Sequence, residues 1–525
     1  MAADPLPGAV APERAIPLSR SIATVGGVTL VSRVLGFVRD VMIAAFLGAG
    51  PLADAFFVAF KLPNFLRRLF AEGAFNAGFV PMFARTLEGE GKEVARRFAE
   101  QAQAVMIAVL VPLVVLAIAL MPWVIVLVAP GFGDDDVRYQ SAVDLSRITF
   151  CYILFISLCA LYSGVLNSLG RFAAAAAAPV MLNLTLIAAL ILSALWFDAP
   201  AYALAWGVAA AGLLQFVWLW LAVRNAGMVP ALRRPRISPE VKRLLALILP
   251  GAIGAGVAQI NLFMDVVLAS LLPPGAVSYL YFADRINELP IGVIGVAVGT
   301  ALLPLMSRQL RAGQIAQAMW SQNRAIEFAL LLTVPAALAL IVLCEPIVTV
   351  LYQRGAFGGE ASRATSTALA AYALGLPAYV LIKVLTPGFF AREDTRTPVK
   401  IAVVCMISNV AIAFTLIWWL AHVGIALATT LSAWLNIGLL AYGLRRAGLL
   451  QPDARLRRRL PRIAGAGLAM ALGLMLAEAW LADVQPVLGL ALLVIFGGLG
   501  FGLIAQLSGA FDLAELRTAL GRSRP

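Results

Sequence analysis

Apolar runs long enough to cross a bilayer recur along almost the whole of this 525-residue chain. Roughly 20 consecutive apolar residues span the hydrocarbon core as a helix, and a helix satisfies its own backbone polar groups inside lipid. Fourteen such segments can be read, at about 22–47, 52–84, 98–130, 139–169, 172–197, 200–223, 241–272, 276–307, 325–352, 364–391, 398–420, 423–444, 463–483 and 486–507. The expected fold is an all-α polytopic membrane protein of 14 transmembrane helices. Composition agrees, since 62% of residues are hydrophobic and 13% charged, against about 45–50% and about 25% in soluble domains. The first 20 residues hold four prolines, Asp4 and Glu13 but no apolar core, so no signal peptide is expected.

Charge in the breaks sets orientation. The links after odd-numbered segments, such as "GAGP", "FDAP", "LPPG" and "AHVG", are nearly free of basic residues. Those after even-numbered ones, at 85–97, 233–243, 308–324, 392–400 and 445–462, are basic. With both tails counted, 29 Lys/Arg fall on one side and three (Arg138, Arg354, Arg363) on the other. Both termini are therefore expected in the cytoplasm. The same bias accounts for most of the +12 net charge without a nucleic-acid partner.

The chain also repeats itself. Asp40-Val41 recurs as Asp265-Val266, and "FVPMFAR" at 79–85 as "LLPLMSR" at 302–308. Pro112 and Pro122 recur as Pro335 and Pro346, and the glycine of "LYSG", Gly164, as Gly388 of "LTPG". Two copies of a six-helix unit imply two pseudo-symmetric lobes, an architecture that rocks around a midplane site. The expected layout is a cytoplasmic tail (1–21), an N-lobe (22–224), a linker (225–240), a C-lobe (241–447), a basic linker (448–462), two extra C-terminal helices (463–507) and a cytoplasmic tail (508–525).

Eight basic residues remain inside segments: Arg33, Arg39, Lys61, Arg67, Arg68, Arg147, Arg285 and Lys383. Each would cost about 2.5–3.5 kcal/mol at a lipid-exposed helix centre. Arg147 is placed near an interface, and the others must face water or acidic partners. The internal acids are Asp40, Asp54, Glu72, Asp265, Asp284 and Glu288. Spacing puts Arg33 and Asp40 on one helical face, and suits Arg68–Glu72 and Arg285–Glu288 to local pairing. An unmatched cationic excess around a cavity calls for an anion, and the guanidinium fork suits phosphate oxygens. A diphosphate bridging the two halves is the simplest such ligand.

These charged stretches carry a resemblance. "SRVLGFVRD", "DAFFVAFKLPNFLRRLFAEGAFNAGFVP", "YFADRINELPIGVIGVAVGTALLP" and "DTRTPVK" closely resemble the MurJ/MviN family of lipid II flippases. The resemblance covers roughly the first twelve segments. It implies a two-lobed exporter fold of the multidrug/oligosaccharidyl-lipid/polysaccharide type in the cytoplasmic (inner) membrane. The implied activity moves the undecaprenyl-diphosphate-linked peptidoglycan precursor to the periplasmic leaflet. By motif, the family's substrate-binding arginines fall on Arg33, Arg39, Arg67 and Arg285. Asp40, Asp54, Lys61, Arg68, Glu72 and Glu288 take the supporting cavity positions. Relatives suggest that the last two helices form a groove for the polyprenyl tail. Some relatives bind sodium at a site to which Asp265 and Asn409 correspond, but Ala413, one turn after Asn409, supplies no carboxylate here. The implied partners are lipid II, membrane lipids, and proteins of cell-wall synthesis or division.

No cofactor, metal or catalytic residue is expected, and no GxxxxGK[ST] loop is present for ATP. Membrane potential or a monovalent cation would then drive the cycle. The alternatives are a flippase for another undecaprenyl-diphosphate-linked oligosaccharide, of O-antigen or capsule type, and a membrane enzyme acting on the same lipid. "GDDDVR" at 133–138, the one dense carboxylate cluster, lacks a neighbouring His or nucleophile and reads as a solvated loop, as does His422. "GVIGVAVG" at 292–299 reads as a close helix-packing surface, and "RLRRR" at 455–459 as an orientation signal. Cys151, Cys159, Cys344 and Cys405 read as packing residues.

Overall fold

The computed structural model describes residues 18–68, 75–481 and 483–512. Glu72 lies outside them, so its expected pairing with Arg68 does too. The helices are α1 (Leu18–Leu47), α2 (Pro51–Leu66), α3 (Asn76–Glu90), α4 (Lys92–Ala119), α5 (Met121–Val128), α6 (Asp136–Phe150), α7 (Tyr152–Ser168), α8 (Phe172–Trp196) and α9 (Pro200–Asn225). A second series follows: α10 (Pro239–Ser270), α11 (Ala276–Pro290), a π-helical turn (Ile291–Gly295), α12 (Val296–Arg311), α13 (Ile315–Val342), α14 (Cys344–Tyr352), α15 (Gly359–Ala373), α16 (Leu376–Phe390) and α17 (Arg396–Arg446). The chain then runs through α18 (Ala454–Trp480) and α19 (Pro486–Leu507). Among the described residues there is no strand.

Local chemistry sets many of the boundaries. Pro51, Pro200, Pro239 and Pro486 open their helices, where the missing N–H leaves no bond unmade. The side chains of Asp135, Ser238 and Asp453 accept first-turn N–H groups of α6, α10 and α18. Before α17, hydrogen bonds from Thr397 hold the exposed Asp394 carboxyl below its usual range. Within α17 Ala421 takes φ 47°, and the backbone there is not helical. That break divides the expected segments 398–420 and 423–444.

Helix lengths recur in order. Helices α4 and α13 have 28 residues each, α5 and α14 have 8 and 9, and α6 and α15 have 15 each. Among the described residues, nine helical stretches are long and apolar enough to cross a membrane. Outside that set lie the expected segments 22–47, 52–84, 241–272 and 276–307, in which most of the internal charges fall.

Buried carboxylates tie the connecting segments down. In α4, Glu100 accepts the Ala231 N–H at 3.3 Å and pairs with Arg233 at 2.5 Å. In α13, Glu327 pairs with Arg324, with Arg455 at 3.1 Å and with Arg459 at 2.5 Å. Arg324 also pairs with Asp453. Two arginines of "RLRRR", the exposed Arg455 and the half-buried Arg459, thus also pair with a buried carboxylate of the protein. The loop reading of His422 is corrected, and that of 133–138 only at Asp135 and Arg138, since Gly133, Asp134, Asp136 and Val137 are exposed. His422 is part-buried, with Nε2 2.8 Å from the Ala364 carbonyl. Asp135 caps α6, and Arg138 is buried, donating to Asp135 at 2.9 Å and to the Leu272 carbonyl at 3.0 Å. Packing against α10 and α11 has withdrawn these groups from water.

Candidate functional site

A cavity of about 270 Å³ lies between α1, α2, α10 and α11. Its charged lining is Arg39, Lys61, Arg67, Arg68, Asp265, Asp284, Arg285 and Glu288, with Tyr281 and Tyr372 beside them. No lipid-facing position could hold these charges cheaply, so they converge on the cavity.

Asp40 is the hub. Its Oδ1 accepts Arg39 through Nη2 at 2.6 Å and Nε at 3.0 Å, and the Tyr281 hydroxyl at 3.1 Å. Its Oδ2 lies 3.2 Å from Nε of Arg285, which comes from α11. Arg285 donates to Glu288 at 2.9 Å and to the Tyr281 hydroxyl at 3.3 Å, and its guanidinium lies over the Tyr281 ring. Arg39 donates onward to Asn183 in α8 at 2.9 Å, and Asn183 donates to the Ser32 carbonyl. Both Arg39 and Asp40 are buried. Charge-assisted bonds of this kind are roughly twice as strong as neutral ones, so the hub joins α1 to α11 firmly.

As their spacing implies, Arg33 and Asp40 lie on one face of α1, which runs unbroken through Gly36. Seven residues return to the same helical face, but about 10.5 Å further along the axis, and adjacent Arg39 takes the carboxylate instead. Arg33 is exposed and lies against Gly292 of the π-helical turn. Arg285–Glu288 pairs as its spacing requires. Arg67 donates to Asn64 at 3.1 Å and also lines a second cavity of about 340 Å³ with Tyr152, Cys159 and Gln215. Asp265 accepts from Asn409 at 3.2 Å across α10 and α17, and buried Ala413 offers only a methyl group one turn on. Arg39, Arg67, Arg285, Lys61, Arg68 and Glu288 therefore meet at one cavity, whereas Arg33 stands apart. Tyr281 and Asn183 are working members that charge alone did not reveal. Tyr281 was readable one turn before Arg285, but Asn183 lies 144 residues from its partner.

Asp54 belongs elsewhere. Fully buried in α2, it accepts the Gly275 N–H at 2.7 Å and, from Ser278, the N–H at 2.9 Å and the hydroxyl at 2.6 Å. A carboxylate on unsatisfied N–H groups at a helix start is a stable arrangement, and here it ties α2 to α11. Nearby, Gly131 donates to Ser270 at 3.2 Å, and the Ala356 N–H donates to the Ala45 carbonyl at 2.8 Å. A Cβ on Gly131 would stand 2.3 Å from the Ser270 carbonyl oxygen, and one on Gly355 would stand 2.2 Å from that of Ala45. The two helical series close on each other at this end, where the links carry little basic charge.

The comparisons follow that geometry. A family model described as lipid II flippase MurJ matches residues 43–496. A "Probable lipid II flippase MurJ" of Rhizobium meliloti (strain 1021) is 50% identical over 471 residues, covering 89% of this chain and 88% of the relative. A "Lipid II flippase MurJ" of Burkholderia cenocepacia is 38% identical over 503 residues, covering 93% and 97%. The solved structure "Lipid II flippase MurJ, inward closed conformation" superposes with a TM-score of 0.78 at 26% identity, covering 92% of this chain and 98% of that one. An inward-facing multidrug resistance MATE family transporter of the MOP superfamily shares the fold, with a TM-score of 0.69 at 14% identity and coverage of 82% and 99%. A match along most of the chain, with this charged cavity at its centre, makes the protein a member of the lipid II flippase MurJ family.

Proposed function

We propose that this protein carries lipid II from the cytoplasmic to the periplasmic leaflet by alternating access of two lobes, 22–224 and 241–447. In this reading the chain crosses the membrane fourteen times with both termini in the cytoplasm, and 463–507 forms the groove for the polyprenyl tail. The observation that carries the mechanism is the Asp40 hub, in which a carboxylate of the first lobe holds Arg39 and, across the divide, Arg285 of the second. An incoming diphosphate offers these guanidiniums more charge and more acceptor oxygens than Asp40 and Glu288 do. Exchange of partners would loosen the Asp40–Arg285 link while drawing both arginines onto the substrate. Arg67 at the cavity wall would add a third contact, and Arg33 would join it. The Asp54 clamp and the glycine contacts close the periplasmic end in this state. They would have to open for release.

Reconstitution in liposomes with labelled lipid II tests the reading. Arg39→Ala and Arg285→Ala are expected to slow flipping at least tenfold while the protein remains monodisperse. Flipping by both variants at the parental rate would overturn the phosphate-clamp mechanism. Membrane potential is the proposed driving force, since one charge moved through 100 mV is worth about 2.3 kcal/mol. An imposed potential is expected to change the flipping rate, with its sign setting the direction.

A further inference from the structure

The second cavity, of about 340 Å³, lies within the first helical series, between α3, α7, α8 and α9. Arg67 and Leu182 line both it and the charged cavity, so the two spaces adjoin. Their chemistries differ. Arg67 is the one charged group on the lining of this chamber among the described residues. Apolar walls with a few placed polar groups, at this volume, are the usual make-up of a small-ligand site. The chamber's own donors are spent inside the protein. The Tyr152 hydroxyl donates to Oε1 of Gln215 at 3.2 Å, and Nε2 of Gln215 donates to the Ala178 carbonyl at 2.7 Å. Its acceptors are open. The Oδ1 of Asn76 is buried and accepts no hydrogen bond among the described residues. In α8, Pro179 has no N–H to give the carbonyl of Ala175, one turn back and also on the lining. A buried acceptor left without a donor is costly, so a ligand gains here by donating. A phosphate or carboxylate oxyanion has no hydrogen to give, whereas hydroxyl and amide N–H groups do.

We propose that this chamber receives the uncharged carbohydrate of the transported lipid. The proposal rests on the transport reading above and adds Asn76 and the Ala175 carbonyl to the substrate contacts. In lipid II the carbohydrate is bonded directly to the diphosphate, so a diphosphate drawn to Arg67 brings the sugar to the shared wall. Sugar hydroxyls then donate to the open acceptors, while the ring packs on Ile156 and Leu219. All four helices belong to one series, so the chamber is complete without the other lobe. The carbohydrate therefore travels with the first lobe as the two lobes rock.

The test measures binding of lipid II and of undecaprenyl diphosphate, which has no sugar, to the full-length protein in nanodiscs. Asn76→Leu is expected to weaken lipid II binding about tenfold and to leave undecaprenyl diphosphate within about twofold. Its thermal midpoint without ligand should hold or rise, because the change removes an unpaired acceptor. A lowered midpoint would mark the asparagine as structural and overturn its role as a contact. Ser163, on the chamber lining, tests the space itself. Ser163→Leu fills the chamber and should weaken lipid II binding as Asn76→Leu does, whereas Ser163→Ala should stay within about threefold. Where Ser163→Leu fails to fold, Asn76→Leu decides. Parallel loss of both ligands would place the defect in the charged cavity and overturn the assignment, as would unchanged lipid II binding by the leucine variants. If Arg39→Ala then still weakens binding of both ligands, the transport reading stands without the chamber; if that variant also binds normally, the transport reading itself has failed.

Discussion

Asp54 shows how much one buried carboxylate can decide. Its three hydrogen bonds satisfy the start of α11 from a neighbouring helix. Leaving such buried donors unpaired costs about 1–3 kcal/mol each. Asp54→Ala is therefore expected to populate states open at that end, read as a fall in disulfide trapping between cysteines placed at Ala45 and Ala356. Trapping at the parental level would show that the glycine contacts suffice alone. Asp40, by contrast, was readable as a charge in an apolar run, yet its partners were not. Spacing placed Arg33 on the same face, and the adjacent Arg39 is the one whose side chain reaches the carboxylate.

Among the elements, the fourth helix of each series acts as an anchor post. Glu327 in α13 holds the start of α18 through Arg455 and Arg459, and Glu100 in α4 holds the linker that leads to α10. Removing one partner of a buried ion pair costs about 3–5 kcal/mol, because it strands the rest. Glu327→Gln is expected to lower the thermal midpoint in detergent by several degrees and to speed proteolysis near residues 448–453. An unchanged midpoint would mean that apolar packing alone holds α18. The recurring helix lengths were foreshadowed by proline and Asp-Val repeats. The carboxylate anchors were hidden, because Glu100 and Glu327 stand at the third position of their segments, beside basic flanks that read as orientation signals.

For the whole molecule, the decisive contact is backbone on backbone at the closed end. A methyl on Gly131 would overlap the Ser270 carbonyl of the other series. Gly131→Ala should therefore leave folding intact while shifting the lobe equilibrium. The expected results are reduced trapping at Ala45–Ala356 and slower lipid II flipping in liposomes. Normal trapping with this variant would place the closing contact elsewhere.

The amino-acid sequence by itself determined that this is a helical membrane protein with a repeated order of segments and charges gathered in four of them. Hydropathy, loop charge and period are properties of neighbouring residues, and the cost of charge in lipid makes the exceptions visible. Only the tertiary structure decided which charges of separate helices neutralise each other and which glycines close the two series together. Those outcomes join residues far apart in the chain, such as Asp54 and Ser278 at a separation of 224. Electrostatic partnership depends on ångströms of distance in space, which no local pattern encodes.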